Sequence, residues 1–331
     1  MKKTILDFPL QFNRGLKVAK NVFLKHYRVV SPPNNIIICG MGGSGLIGEI
    51  LVNLRPLNIF INKSYGLPPQ AGIGSIIICV SYSGNTEETL SSFKEAIKRK
   101  LPIIAITTGG ELEKIAKKNN IPLAILPPPY IPPRLALGEQ FSAISQILEN
   151  HNLLSESFIK EILNLGEKLK SKKLEAQGKK LAKKIHHKIP IIYTTNNFKG
   201  VSLIWKNSLN ETAKMLAIDN YFPELNHNEI VGFSSVDKDQ INNKKLIVII
   251  LKDPDDHPRI LKQIKITKDI IEKEGIKTEI INMQGKNKLE KIFSTIILGF
   301  WTSYWLAIYY KVDPTPVKTI ENLKKRLKAN I

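Results

Sequence analysis

Cysteine is almost missing from this chain. Cys39 and Cys79 are the only two among 331 residues, too few for a disulfide framework of the kind that staples small secreted domains. Each stands near the end of an apolar run that reads as a strand. Both are expected as buried free thiols of a reduced compartment; a disulfide between neighbouring strands stays open, with nothing to support it. Histidine is scarce as well, with six in all, and no His/Cys/carboxylate cluster has metal-ligand spacing, so no metal is expected. Uninterrupted apolar runs are short. The longest candidate, 292–310, is broken by Ser294, Thr295, Thr302 and Ser303 and reads as a buried helix rather than a membrane span. The first ten residues carry two lysines but neither an apolar h-region nor a small-residue cleavage site, which points to the cytoplasm.

Acid is also in short supply. Asp and Glu number 29 against 49 Lys and Arg, for a net charge of +20. Such a balance raises nucleic acid and acidic membrane as partners. The lysines, however, are spread through helical stretches such as 160–184 and 324–328. No aromatic-interleaved basic tract, zinc-finger spacing or helix-turn-helix stands out. The reading is a solvated lysine-rich surface with some attraction for phosphorylated metabolites. Neither nucleic acid nor membrane is expected as a partner.

Apolar strands alternate with helix-compatible stretches along the whole chain. Strands are expected at 36–39, 57–61, 76–80, 101–107 and 121–126, then at 189–194, 246–251 and 278–282. Helices are expected at 4–30, from the glycine loop to about 54, and at 87–100, 111–119, 134–149, 151–187, 201–215, 259–274 and 289–310. A last helix is expected with Thr315 as N-cap and Pro316 at its first position, running to about Ala329. This alternation predicts an α/β chain of two doubly wound parallel sheets flanked by helices. The boundary is placed near residue 150, giving domains 1–150 and 151–331.

Two loops of the first half carry chemistry. Ser81-Tyr82-Ser83-Gly84-Asn85-Thr86-Glu87 lies between a strand and a helix. Hydroxyls beside the orphan N–H groups of a helix start form an anion site, although a well-capped turn without ligand has the same look. Gly40, Gly42 and Gly45 match G-x-G-x-x-G between the first strand and its helix, the dinucleotide fingerprint in its context. The fingerprint also requires an acid after the second strand, and Asn62-Lys63 stands there instead. Lys63 leaves NADP as a weak alternative; no cofactor is expected. One phosphate with a sugar attached fits two adjacent polar loops at a sheet edge better than a dinucleotide does.

The second half supplies candidate acid–base groups. Ile204, Ser208, Glu211 and Met215 share one helical face, and a carboxylate there is either a base whose pKa is raised by burial or a helix-edge Glu paired with Lys206 or Lys214. Val317, Ile320, Leu323 and Leu327 form a stripe that contains Lys324, chosen over Lys318 as a site lysine, although such a lysine also snorkels. His227 lies in the polar stretch 223–232 and suits proton transfer near neutral pH.

Taken together, Gly-Met-Gly-Gly-Ser-Gly at 40–45, Ser-Tyr-Ser-Gly-Asn-Thr-Glu-Glu-Thr at 81–89, Pro-Arg at 133–134, Asn-Glu-Thr-Ala-Lys at 210–214, Glu-Leu-Asn-His-Asn-Glu at 224–229 and Asp-Pro-Thr-Pro-Val at 313–317 resemble the bifunctional phosphoglucose/phosphomannose isomerases of archaea and some bacteria. The resemblance spans residues 40–324. It implies two sugar isomerase (SIS) domains and metal-free, cofactor-free interconversion of glucose 6-phosphate and mannose 6-phosphate with fructose 6-phosphate. It implies that Ser81, Ser83 and Thr86 bind the phosphate, with Gly43 and Ser44 lining the site. Arg134 would stabilise an enediolate, and Glu211 would move the proton between C1 and C2. His227 would assist ring opening in the neighbouring subunit of a homodimer, and Lys324 would complete the set. A non-catalytic sugar-phosphate regulator built on the same domains is the alternative. An aminosugar synthase would need a glutaminase half for which the chain has no room.

Overall fold

The computed structural model describes residues 1–24, 32–54, 57–169, 171–234 and 243–329. Its elements are, in order, α1 (Lys2–Leu6), α2 (Leu10–Ala19), β1 (Asn35–Cys39), α3 (Gly42–Val52), β2 (Ile59–Asn62), β3 (Ser75–Ser81), α4 (Glu87–Lys98), β4 (Ile103–Thr107), α5 (Gly110–Lys118), β5 (Leu123–Ile125), α6 (Leu137–Asn150), α7 (Glu156–Lys168) and α8 (Ser171–Ile185). There follow β6 (Ile189–Thr195), α9 (Lys199–Thr212), β7 (Ile218–Phe222), α10 (Glu229–Gly232), β8 (Leu246–Lys252), α11 (Pro258–Lys273), β9 (Lys277–Asn282), α12 (Lys288–Tyr309) and α13 (Lys318–Ala329).

The strands form two parallel sheets, ordered β2-β1-β3-β4-β5 and β7-β6-β8-β9. β1, β3 and β4 are buried along their whole length, as parallel strands covered on both faces must be. That is why they read as continuous Ile-rich runs. Cys39 and Cys79 sit in register on neighbouring strands as buried free thiols.

The two sheets share a helical layer. Phe8, Phe12, Phe141, Phe293 and Phe300, drawn from the first helices, α6 and α12, are fully buried together. Edge-to-face contacts run from Phe12 to Phe293 at 4.9 Å and from Phe141 to Phe293 at 5.0 Å. α12 is long and apolar enough to cross a membrane, but 72% of that stretch is buried inside the fold.

Four local expectations are corrected. The helix expected over 4–30 breaks at Asp7–Pro9, where Pro9 precedes α2 and lacks an N–H to continue α1; residues 25–31 lie outside the described residues. α9 ends at Thr212, so Met215 is not on the face it was expected to share with Glu211. β7 was not expected, because Ile-Asp-Asn-Tyr-Phe is an edge strand without an apolar run. The last helix starts at Lys318, not Pro316, for a reason that lies in the site.

Candidate active site

The carboxyl ends of β1 and β3 point to one edge of the first sheet. β3 delivers Ser81 there, 1% exposed, and its hydroxyl donates to Thr86 Oγ1 at 2.9 Å. Thr86 is the N-cap of α4 by backbone geometry, yet its side chain does not cap the helix. The Thr86 side chain therefore leaves the first α4 amides uncapped, the arrangement that suits an anion. Gly84 has φ +70°, and a Cβ there would meet Gly109 O at 1.8 Å, so glycine is required. The turn at 108–112 buttresses the loop. Thr108 Oγ1 donates to Tyr82 O at 2.6 Å, Leu112 N to Gly84 O at 2.9 Å, and Asn85 Oδ1 accepts from Glu111 N at 3.1 Å. Ser83 Oγ accepts from Asn85 N at 3.3 Å.

The glycine loop lies beside it. Ser44 Oγ donates to Gln140 Oε1 at 2.8 Å and accepts from Tyr82 N at 3.3 Å, which ties the two loops and α6 together. A Cβ on Gly43 would stand 2.7 Å from Pro133 O and 3.2 Å from Arg134 Cα. Glycine at 43 thus lets the 133–135 turn lie against the start of α3, and the turn carries Arg134 to the same edge.

Arg134 is buried, 5% exposed. Its Nε donates to Thr212 Oγ1 at 3.1 Å, and Nη2 donates to the carbonyls of Pro314 at 2.7 Å and Thr315 at 3.0 Å. Only Nη1 is left to face the site, and it stands 3.6 Å from Glu211 Oε2. Glu211 comes from the last turn of α9, and α9 is fixed at two points. Gly200 allows close packing on Glu49 of α3, with a Cβ contact of 2.8 Å. Trp205, whose Nε1 donates to Thr295 O at 2.9 Å, lies over Gly299 of α12.

Burial pushes the Glu211 carboxyl above its ordinary value, and Arg134 and Lys214 pull it back. Of the two lysines the sequence offers Glu211, Lys206 pairs with Asp219 at 2.6 Å. Lys214 Nζ binds the Glu211 backbone carbonyl and, at 2.6 Å, Pro316 O. The side-chain partner of the Glu211 carboxylate is Arg134. With the carbonyls of 314–316 held by Arg134 and Lys214, that segment stays non-helical beside the site, bent at Pro314 and Thr315, and the helix begins only at Lys318.

Two expected residues are not brought to this point. His227 is exposed at the end of a 3-10 turn after β7. Its loop is pinned around it. Asn226 Oδ1 accepts from Thr267 Oγ1 at 2.8 Å, Asn228 Nδ2 donates to Glu224 Oε1 at 2.8 Å, and Glu229 accepts from Tyr193 Oη and Asn220 Nδ2. Among the described residues the His227 ring has no hydrogen-bond partner. Lys324 and Lys318 are exposed on α13, and the stripe beside them is uncovered, with Ile320 41%, Leu323 57% and Leu327 48% exposed. No group of three or more metal-binding side chains occurs among the described residues.

Comparison with known proteins bears on this geometry. The family model for the bacterial phospho-glucose isomerase C-terminal SIS domain matches residues 174–327. A bifunctional phosphoglucose/phosphomannose isomerase of Aquifex aeolicus is 36% identical, over 91% of this chain and 92% of its own length. The chain belongs to the bifunctional phosphoglucose/phosphomannose isomerase family. Another member, from Caldicellulosiruptor bescii, is 33% identical over 99% of this chain and 98% of its own. In fold, this phosphoglucose/phosphomannose isomerase family member is similar to the C-terminal domain of glucosamine-fructose-6-phosphate aminotransferase from Francisella tularensis. The TM-score is 0.75 at 15% identity, covering 96% of this chain and 98% of that one. Both halves are SIS-type α/β domains.

Sequence reasoning missed the residues that hold the named ones. Gln140 positions Ser44, Thr212 holds Arg134, and Tyr82 and Asn85 brace the loop after β3. The signal was available for Thr212 and Lys214, which lie inside the Asn-Glu-Thr-Ala-Lys motif at 210–214.

Proposed function

We propose that this chain is an aldose–ketose isomerase interconverting glucose 6-phosphate and mannose 6-phosphate with fructose 6-phosphate through a cis-enediol(ate). The observation that carries this reading is the pair of buried Arg134 and half-buried Glu211, Nη1 to Oε2 at 3.6 Å, with the Arg134 turn packed on Gly43 and the neighbouring Ser44 bonded to the phosphate loop at Tyr82 N. Ser81, Ser83, Thr86 and the α4 amides hold the phosphate, with Gly43 and Ser44 lining the site. This anchors the unreactive end of the sugar. Glu211 takes the C2 proton and returns it at C1, burial having made its carboxylate more basic. Arg134 Nη1 faces the oxygen on which negative charge develops. That fixed guanidinium supplies the charge a Lewis acid would otherwise bring, so the mechanism needs neither metal nor redox cofactor. The two aldoses differ only at C2, the carbon that becomes planar, so one base serves both.

The active form we propose is a homodimer in the cytoplasm, with His227 reaching the neighbouring subunit's site for ring opening. An exposed imidazole on a loop pinned at its other polar residues supports this, as does the uncovered Ile320–Leu323–Leu327 stripe. Burial of that stripe in the dimer brings Lys324 inward. The division into 1–150 and 151–331 stands as part of the same reading, with one sheet on each side of it.

The test is turnover of fructose 6-phosphate in the presence of EDTA, with both aldose products measured. Both should form, and Glu211→Gln should form neither while still binding the sugar phosphate. Binding without turnover by the wild type would favour the regulator reading. That reading gives no role to a half-buried carboxylate facing a buried guanidinium.

A further inference from the structure

Lys214 stands just past the end of α9 with φ +56°, a backbone conformation that residues other than glycine and asparagine rarely hold. The left-handed turn returns its side chain toward the helix that carries Glu211. Its ammonium donates to the Glu211 carbonyl and to Pro316 O. On the other side of the carboxylate, Arg134 Nη2 donates to Pro314 O and Thr315 O. Two cations thus hold three successive carbonyls, at 314, 315 and 316, and both act on the Glu211 carboxylate.

We propose that Lys214 is a positioning residue for the base: it latches the 314–316 strap beside Glu211 and supplies, with Arg134, the positive field in which the carboxylate works. The inference rests on Glu211 being the base. The charged groups facing Glu211 are Arg134 from the turn before α6 and Lys214 from beyond its own helix. Asp313, from the segment before α13, acts on Lys214. The ammonium itself is held below its ordinary value by burial first and then by Arg134, with Asp313 and Glu211 opposing. It is therefore already coupled to the groups it is proposed to tune. Lys100 and Lys311 share the left-handed backbone on the surface; what sets Lys214 apart is the pair of carbonyl bonds, one to Glu211 and one to the strap.

Three variants test this in the full-length protein. Lys214→Met removes the cation. Lys214→Asn removes it while suiting the left-handed backbone. Lys214→Arg keeps a cation. Two measurements are made on each: the pH dependence of kcat/KM for fructose 6-phosphate, and amide exchange at Ile320 and Glu321, which open α13 by donating to Val317 O. Removing a positive charge makes the Glu211 proton harder to lose. The acid limb should therefore move up by about half a pH unit in the Met and Asn variants, about a threefold loss of kcat/KM on that limb. Lys214→Arg should restore it. Exchange at 320–321 should quicken in the same two variants. An unmoved acid limb, or unchanged exchange, in both Met and Asn variants overturns the inference. A fully active Glu211→Gln variant overturns the base assignment instead, and is read separately from the lysine results.

Discussion

The two sheets present the same edge with opposite chemistry. By strand order β6, β7, β8 and β9 take the places of β1, β2, β3 and β4. The loop after β3 carries Ser81, Ser83 and Thr86 in front of α4. Its counterpart after β8 carries Asp253, Asp255 and Asp256 in front of α11. There Lys291, with only 9% of its side chain exposed, bridges Asp253 at 2.6 Å and Asp255. An edge lined by hydroxyls in one half is thus acidic in the other and closed by an internal cation. The glycines differ in the same way. Gly43 lets the turn that carries Arg134 lie against the start of α3, whereas Gly200 packs α9 against Glu49. Parallel topology makes such an edge twice over, and side chains decide which copy binds. The second half contributes something else, a helix whose last turn brings Glu211 across to the first half's edge.

The comparison breaks most sharply at Glu211. Glu211→Gln should lower kcat by about a thousandfold with KM within a few-fold, the pattern of a lost proton acceptor rather than a lost contact. Steady-state kinetics on fructose 6-phosphate check it. Arg134→Met is expected next, with kcat down by about a hundredfold. A lower melting temperature should accompany it, because Thr212, Pro314 and Thr315 lose their donor.

The glycine pair sharpens the contrast. Gly43→Ala should cut kcat/KM by about tenfold by displacing the 133–135 turn. Gly200→Ala should lower the melting temperature, by about 1–3 kcal/mol of overpacking, and leave KM unchanged. Equal effects of the two on KM would show that both loops bind substrate. The loop pair gives a smaller effect. Ser83→Ala should raise KM several-fold, about the worth of one hydrogen bond. Asp255→Asn, at a carboxylate 79% exposed, should leave KM where it is.

The smallest expected effect concerns Glu139, which stands behind the phosphate loop with no exposure and pairs with Arg14 at 2.8 Å. Burial raises its carboxyl above 4.5, with Arg14 opposing. The native state therefore binds that proton more tightly than the unfolded chain. The associated stability is complete below the ordinary carboxylate pKa and is lost as pH rises through the raised value. Melting curves between about pH 4 and about pH 7 should show wild type losing stability relative to Glu139→Gln as pH rises. The opposite slope would refute the assignment.

The sequence by itself determined the apolar strands and the polar loops at the sheet edge. Parallel strands buried on both faces must be runs of Ile and Val, and hydroxyls with a glycine at a strand-to-helix junction can be read without neighbours. It did not reveal β7, whose polar edge sequence carries no periodic signal, nor the true start of α13, where carbonyls that would begin a helix are held by Arg134 from 180 residues away. Which cation faces Glu211 was equally hidden, because Lys206, Lys214 and Arg134 are all within reach on paper. Only the tertiary structure decided that choice: Gly43 and Gly200 permit close backbone approach and Gly299 seats the Trp205 ring, and these contacts bring α9 and the 133–135 turn to one point.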